Sequence, residues 1–133
     1  SPGLVSRFGI PVSPDELSRF PTIHYGPMPS GGQDEWGLGT KGQRHHVPMR
    51  GRMAVNNTES YVACCIAGLG VIQVPAYDVQ AEMASGDLVE LLEHLPPPPL
   101  SLQVFYPGQH RQSRRLRIFI DWLAAVMAPH TQA

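Results

Sequence analysis

The clearest pattern of hydrophobic and polar positions lies in the middle of the chain. Short, largely apolar runs that are typical of strands occupy residues 71–74 and 88–92, and a weaker run occupies residues 52–55. Two longer stretches, residues 58–67 and 77–84, each end near a glycine and have the length that is typical of helices. Strands and helices that alternate in this order predict a parallel sheet joined by crossover helices, and hence an α/β fold class.

The helix at residues 58–67 has a recognisable start. Asn56 ends the preceding strand and can cap a helix that begins near Asn57, and Glu59 can reach back in a capping-box arrangement. The helix is apolar on most sides, so it is predicted to be largely buried.

The N-terminal third is predicted as shorter elements. Residues 1–9 form a helix, and Ser13 caps a second helix that has Pro14 at its first position. A strand at residues 22–25 and a loop at residues 26–32 come next. Weaker strand signals then follow at residues 35–38, 45–47 and 52–55.

The C-terminal part begins after four consecutive prolines, residues 96–99, which predict a stiff extended boundary. Alternating side chains predict a strand at residues 100–106. An amphipathic helix is then predicted to start near Ser113, with apolar positions at Leu116, Phe119, Ile120, Leu123 and Met127. Three arginines near its start, Arg114, Arg115 and Arg117, indicate either a solvated face or a contact with an acidic partner.

Composition narrows the class of protein. Hydrophobic residues make up 42% of the 133 residues, which is enough for a packed core and excludes general disorder. The net charge of −1 argues against direct binding of nucleic acid by this chain. There is no run of about 18 apolar residues, so no membrane contact is expected.

Candidate catalytic and metal-binding patterns are absent from the sequence. The six histidines lack ligand spacing, and neither a nucleophile elbow nor a phosphate loop is present. Cys64 and Cys65 are adjacent, so they cannot form a disulfide framework; they are interpreted as buried, inert thiols in a reducing cytoplasm, with a reactive pair as the alternative. We therefore expect no enzyme activity, no metal and no cofactor.

One feature has a chemical rationale for binding. The helix start at Asn56, Asn57 and Thr58 follows the carboxyl end of a strand, where ligands of open α/β sheets bind. Its backbone N–H groups and polar side chains can bind a carboxylate or another small polar group. Ordinary helix capping explains the same residues, and the sequence leaves both interpretations open.

Four motifs resemble a known family over essentially the whole chain. In chain order they are SPGL…RFGIP…PDEL (residues 1–17), GR…VNN…AGLGV…VP (residues 51–75), ASGDLV (residues 84–89) and VFYP…LRIFIDWL (residues 104–123). Together they resemble LysR-type transcriptional regulators, in which a helix-turn-helix domain precedes an effector-binding domain.

The resemblance implies a Rossmann-like, three-layer subdomain of the type 2 periplasmic-binding-protein fold. Residues 1–100 would form the second subdomain. Residues 101–133 would form the strand and C-terminal helix that return to the first subdomain. The rest of the first subdomain and the DNA-binding domain would lie outside this chain, whose first residues, Ser1 to Leu4, are interpreted as a cut within a longer one.

The resemblance also implies a function. A small-molecule effector bound in the cleft between subdomains would modulate transcription, and the alternative is a stand-alone solute-binding protein of the same fold. The effector-binding residues implied on this subdomain are Asn56, Asn57, Thr58, Pro75, Met28 and Ser30. A cytoplasmic homo-oligomer is expected, in which operator DNA is bound only through the missing N-terminal domain.

Overall fold

A computed structural model describes residues 1–39, 42–99, 103–106 and 113–130, apart from the side chains of Arg52 and His130. The chain forms two compact units, Ser1–Pro98 and Pro99–Ala133. The assignment of residues 1–100 and 101–133 to two different subdomains stays a prediction. None of the helices in the described residues combines the length and the hydropathy that a membrane crossing requires.

Within the described residues, the first unit contains a mixed sheet of three strands. These are β1 (Pro21–Tyr25), β2 (Gln33–Leu38) and β3 (His45–Val55), in the spatial order β1-β3-β2. β1 runs parallel to β3 and β2 runs antiparallel to it. The α/β class is therefore confirmed, but the expectation of a wholly parallel sheet is wrong. The two weak strands predicted at residues 45–47 and 52–55 are parts of one long strand.

β3 is irregular where it passes β1. Thr22 lies opposite Gly51 and Ile23 lies opposite Met53, so residue 52 is an extra residue in β3. An extra residue of this kind bends a strand and changes the face to which the following side chains point. Accordingly, Val47 and Met49 belong to one hydrophobic cluster, whereas Val55 packs against another.

The two short helices at the N-terminus form as predicted. α1 (Pro2–Phe8) buries Leu4, and α2 (Pro14–Leu17) buries Leu17. The Ser13 hydroxyl accepts a hydrogen bond from the Glu16 N–H at 3.3 Å, which satisfies one of the free donors of the first turn of α2.

α3 (Thr58–Ile66) differs from its prediction in two ways. Its cap is Asn57, not Asn56, and the moved cap leaves Glu59 in the second helical position instead of the third. Only Tyr61, Val62 and Cys65 are buried, so the helix is amphipathic rather than largely buried.

The chain after α3 is less regular than the sequence predicts. Residues 71–74 form a single parallel bridge, between Val71 and Thr22, and residues 88–92 are not a strand. A strand requires a hydrogen-bonding neighbour, and both segments instead line one apolar cavity. Between them, α4 (Gln80–Ser85) is shorter than the predicted helix at residues 77–84, because Ala76–Asp78 forms a separate helical turn.

In the part of the first unit that the structure describes, the buried side chains form two hydrophobic clusters. The larger joins α1 and α2 to β2 and β3 through Leu4, Leu17, Phe20, Trp36, Leu38, Val47, Met49, Val71 and Leu92. The smaller joins α3 to β1 and to the chain around α4 through Ile23, Tyr61, Val62, Cys65, Val79 and Leu88.

The proline segment lies beside the end of β2. The Gly39 N–H donates to the Pro96 carbonyl at 2.8 Å, and Pro98 lies next to Gly37. The segment therefore packs along the sheet, whereas the sequence predicted only a spacer. Prolines have no N–H to donate, so the segment cannot continue the sheet as an ordinary strand.

The second unit contains α5 (Arg114–Met127), which begins as predicted with the Ser113 hydroxyl accepting from the Leu116 N–H at 3.2 Å. Leu116, Ile120, Leu123 and Met127 are half-buried, while Phe119 is exposed and contacts Trp122. The strand predicted at residues 100–106 is not present in residues 103–106, and residues 100–102 lie outside the described part.

Candidate functional site

The carboxyl ends of β1 and β3 lie side by side at one edge of the sheet. Tyr25 pairs with Val55, and the Gly26 N–H donates to the Val55 carbonyl at 2.7 Å. β3 therefore delivers Asn56, Asn57 and Thr58 to the edge where β1 enters the loop that carries Met28 and Ser30. Parallel pairing brings together two segments that lie about 30 residues apart in the sequence.

The start of α3 offers both a cap and free donors. The Asn57 side-chain oxygen accepts from the Ser60 N–H at 2.8 Å. The backbone N–H groups of Thr58 and Glu59 also belong to the first turn, where a helix has no internal acceptor for them. Capping thus explains Asn57, and it does not use the side chain of Thr58. Asn56 contributes only through its side-chain oxygen, which accepts a hydrogen bond from the Asn57 amide at 3.4 Å. The Glu59 carboxylate in the same turn offsets part of the positive dipole.

Pro75 reaches the same end of the sheet by a different route. The parallel bridge between Val71 and Thr22 directs residues 71–75 along β1. The Tyr61 hydroxyl accepts a hydrogen bond from the Gln73 N–H at 3.2 Å, which ties this segment to α3. Burial raises the pKa of Tyr61, so the hydroxyl remains protonated and neutral at physiological pH.

An aromatic ring lies beside these residues. Tyr25 is 51% exposed, and its ring contacts Tyr61 edge to face, with 5.4 Å between the ring centroids. Tyr61 is buried, and its hydroxyl accepts a hydrogen bond from the Gln73 N–H. The ring against which Tyr25 packs is therefore held in one position. Tyr25 was not predicted as a site residue from the sequence, although a tyrosine that ends a strand next to a glycine-rich loop could have indicated it.

The loop between β1 and β2 carries the last two predicted residues. Met28 and Ser30 are exposed, and Gly31 and Gly32 adopt positive φ angles of 78° and 68° that favour glycine. The structure thus places all six predicted residues at or near one edge of the sheet. Their contact with a ligand stays a prediction.

An apolar cavity of the first unit lies elsewhere. It has a volume of about 220 Å³ and lies among Leu4, Trp36, Val71 and the segment 88–97. None of the six predicted residues lines it. The predicted site and this cavity therefore consist of different residues, although Val74 and Ala76, which flank Pro75, line the cavity.

The two cysteines have different surroundings. Cys65 is buried and burial raises the pKa of its thiol, which disfavours the reactive thiolate. Cys64 is half-buried, and its sulfur lies 3.5 Å from that of Met53. Both are free thiols. No group of three or more potential metal ligands occurs among the residues that the structure describes.

Comparison with known proteins gives a consistent result. The profile of the LysR substrate binding domain family matches residues 1–128. The chain is 35% identical over 127 residues to the HTH-type transcriptional regulator YhjC of Escherichia coli K12, a match that covers 96% of this chain and 42% of that protein. It is 25% identical over 123 residues to the HTH-type transcriptional regulator PgrR of the same organism, covering 92% and 41% respectively. The chain thus spans about two fifths of the length of these relatives.

A solved structure has a similar fold. The regulatory domain of AphB from Vibrio vulnificus, treated with cumene hydroperoxide, superposes with a TM-score of 0.61. The similarity covers 94% of this chain and 61% of that one, at 22% sequence identity. At that identity the likeness shows the fold alone, and it confirms the predicted fold class.

Proposed function

The chain belongs to the LysR substrate-binding domain family, and on that premise we propose that it supplies one wall of an effector site in a longer bacterial transcription regulator. The proteins that it matches are regulators and not enzymes, which agrees with the expectation of no catalysis. In this proposal the effector lies against the carboxyl edge of β1 and β3, between the start of α3 and the loop at residues 26–32.

One observation carries this proposal, namely the parallel pairing of Tyr25 with Val55. It places the backbone donors of Thr58 and Glu59, the amide of Asn56 and the exposed ring of Tyr25 along one edge. Donors at a helix start bind a carboxylate or another polar group, while an aromatic ring provides apolar contact. The edge therefore suits a small molecule with a polar head and an apolar body.

In the whole protein, we infer that the effector contacts both subdomains. A ligand that contacts both subdomains favours the closed arrangement, because binding stabilises the state with which it makes more contacts. In the proposed regulator this shift changes how the subunits of a homo-oligomer pack. The changed packing alters the affinity of separate helix-turn-helix domains for operator DNA. A regulator that acts on DNA in this way works in the cytoplasm.

The alternative is a stand-alone solute-binding protein of the same fold. Both hypotheses place the ligand at the same site, and they differ in whether DNA-binding domains belong to the same protein. The curated relatives are transcription regulators more than twice as long as the matched segment, which favours the regulator.

Substitution of Asn57 separates ligand binding from capping. Asn57→Asp and Asn57→Ser both keep a good capping side chain, so each is expected to preserve thermal stability. Asn57→Ala removes the cap and should lower the free energy of unfolding by about 1 kcal/mol. A carboxylate effector found in a metabolite screen by thermal unfolding should stabilise the wild type. Its affinity should fall at least about tenfold in Asn57→Asp, because a carboxylate there repels it, but not in Asn57→Ser.

The measurement is the dependence of the melting temperature on ligand concentration for the wild type, Asn57→Asp and Asn57→Ser, with the same ligand. Equal affinity of wild type and Asn57→Asp for a carboxylate ligand would place the site away from the start of α3. A loss of affinity in Asn57→Asp accompanied by a lower melting temperature of the free protein would indicate damage to the helix instead.

A further inference from the structure

A second feature lies at the ends of the loop that carries Met28 and Ser30. His24 Nδ1 lies 2.7 Å from Asp34 Oδ2, and the two side chains are only 16% and 30% exposed. The other oxygen of Asp34 accepts from the Glu35 N–H at 2.8 Å, which fixes the orientation of the carboxylate. Since an ionised carboxylate only accepts hydrogen bonds, the Nδ1 of His24 carries the hydrogen.

The contact joins two strands that are not neighbours. β3 separates β1 from β2, so the His24 and Asp34 side chains meet across it. His24 pairs with Ala54 and Asp34 pairs with Met49, so the contact crosses β3 diagonally, near Gly51 and the irregularity at residue 52. Small residues and a bent backbone at that point make room for such a crossing.

The loop itself is packed closely against β3 at the same place. A Cβ atom on Gly32 would lie 3.3 Å from the Gly51 carbonyl oxygen. The described hydrogen bonds at the two ends of the loop include Gly26 N–H to the Val55 carbonyl and Gly32 N–H to the Pro29 carbonyl. Gly26, Gly31 and Gly32 all have positive φ angles, so the backbone of the loop has much conformational freedom to lose.

We propose that His24 and Asp34 form a clasp that closes the loop at residues 26–32 and holds it in one position against β3. They are positioning residues, since neither lies among the six predicted contact residues. The benefit for ligand binding rests on the proposed function, in which Met28 and Ser30 form part of the site. A loop that is closed before binding needs no further ordering when the ligand arrives, and the apparent affinity falls with the fraction of open loop.

The chain contains a matched control for this clasp. His46 Nδ1 lies 2.7 Å from Glu35 Oε1, which is the same chemistry at the same distance. Those side chains are 64% and 67% exposed and belong to the neighbouring strands β2 and β3. This pair therefore joins two strands that are already hydrogen-bonded to each other, and its removal should leave the loop unchanged.

Hydrogen–deuterium exchange of the backbone amides tests the clasp without any ligand. His24→Ala and Asp34→Ala should each raise the exchange rate in residues 26–32 by at least about fivefold, as expected for the loss of a charged, partly buried hydrogen bond. In the double variant, residues 26–32 should exchange no faster than in either single variant, because both substitutions remove the same contact. Asp34→Asn keeps an acceptor for Nδ1 and should restore most of the protection.

Three results would overturn the clasp. One is unchanged exchange of residues 26–32 in both alanine variants. Another is an equal acceleration in His46→Ala. The third is a uniform acceleration across β1, β3 and α3, which would show that the pair only stabilises the fold. If the loop opens but a ligand that binds at the start of α3 keeps its affinity, the clasp stands and the loop is not part of the site.

Discussion

Met49→Ala is expected to lower the free energy of unfolding of the first unit by about 2–5 kcal/mol. Met49 is 0% exposed and lies in the larger hydrophobic cluster, where α1 and α2 pack on β2 and β3. Truncation removes buried methylene and sulfur contacts and leaves a cavity that surrounding side chains fill only in part. Chemical denaturation monitored by circular dichroism measures the change as a shift of the midpoint.

Met53→Ala is the matched control, since Met53 lies on the same strand but is 39% exposed. Met53→Ala should lower the free energy of unfolding by less than about 1 kcal/mol. If both substitutions cost the same, the larger cluster is not the structural centre of the unit. The placement of the residue at position 52 as an extra residue in β3 would then also be in doubt, because that residue separates the two methionine environments.

Gly70→Ala is expected to destabilise the first unit by about 1–3 kcal/mol through overpacking. A Cβ atom at residue 70 would lie 2.9 Å from the Pro21 carbonyl oxygen and 3.0 Å from the Thr22 carbonyl carbon. Both are backbone atoms of β1, so they cannot rotate away as a flexible side chain would. The substitution should therefore push the segment that carries Pro75 away from the sheet.

Gly3→Ala provides the comparison for Gly70. Gly3 lies in α1, and an added Cβ atom meets nothing within 4 Å, so alanine should be neutral or slightly stabilising there. Thermal unfolding of the two variants measures the difference. Equal melting temperatures would contradict the close approach of residue 70 to β1 and, with it, the parallel bridge at Val71.

Elements with strong local signals are those that the sequence predicted best. Ser13 and Pro14 define the start of α2, and Ser113 with its periodic apolar residues defines α5, because capping and amphipathic periodicity act within one or two turns. At α3 the cap was misplaced by one residue. Asn56 and Asn57 are equally good caps, and only the length of β3 decides between them.

Elements that need distant partners were predicted less well. The apolar runs at residues 71–74 and 88–92 have the composition of strands, yet pairing depends on which neighbours the fold supplies. The direction of β2 could not be predicted either, since a short strand can pair in either sense.

The candidate site likewise combines features set by local sequence with features that depend on distant partners. Alternation of strands and helices was enough to place Asn56, Asn57 and Thr58 at the carboxyl edge of a sheet. The contact of His24 with Asp34 and the bond from Gln73 to Tyr61 were not foreseen. Each joins residues that lie 10 or 12 positions apart, and each depends on the order of strands and the path of the chain across them.

Mapping of amide NMR shifts as an effector is added tests the central claim most directly. For the ligand with the strongest thermal stabilisation, we expect the largest shifts at residues 26–32, at Asn56 to Glu59 and near Pro75. Shifts confined to the apolar cavity around Leu4, Trp36 and Leu92, with the edge unchanged, would contradict it.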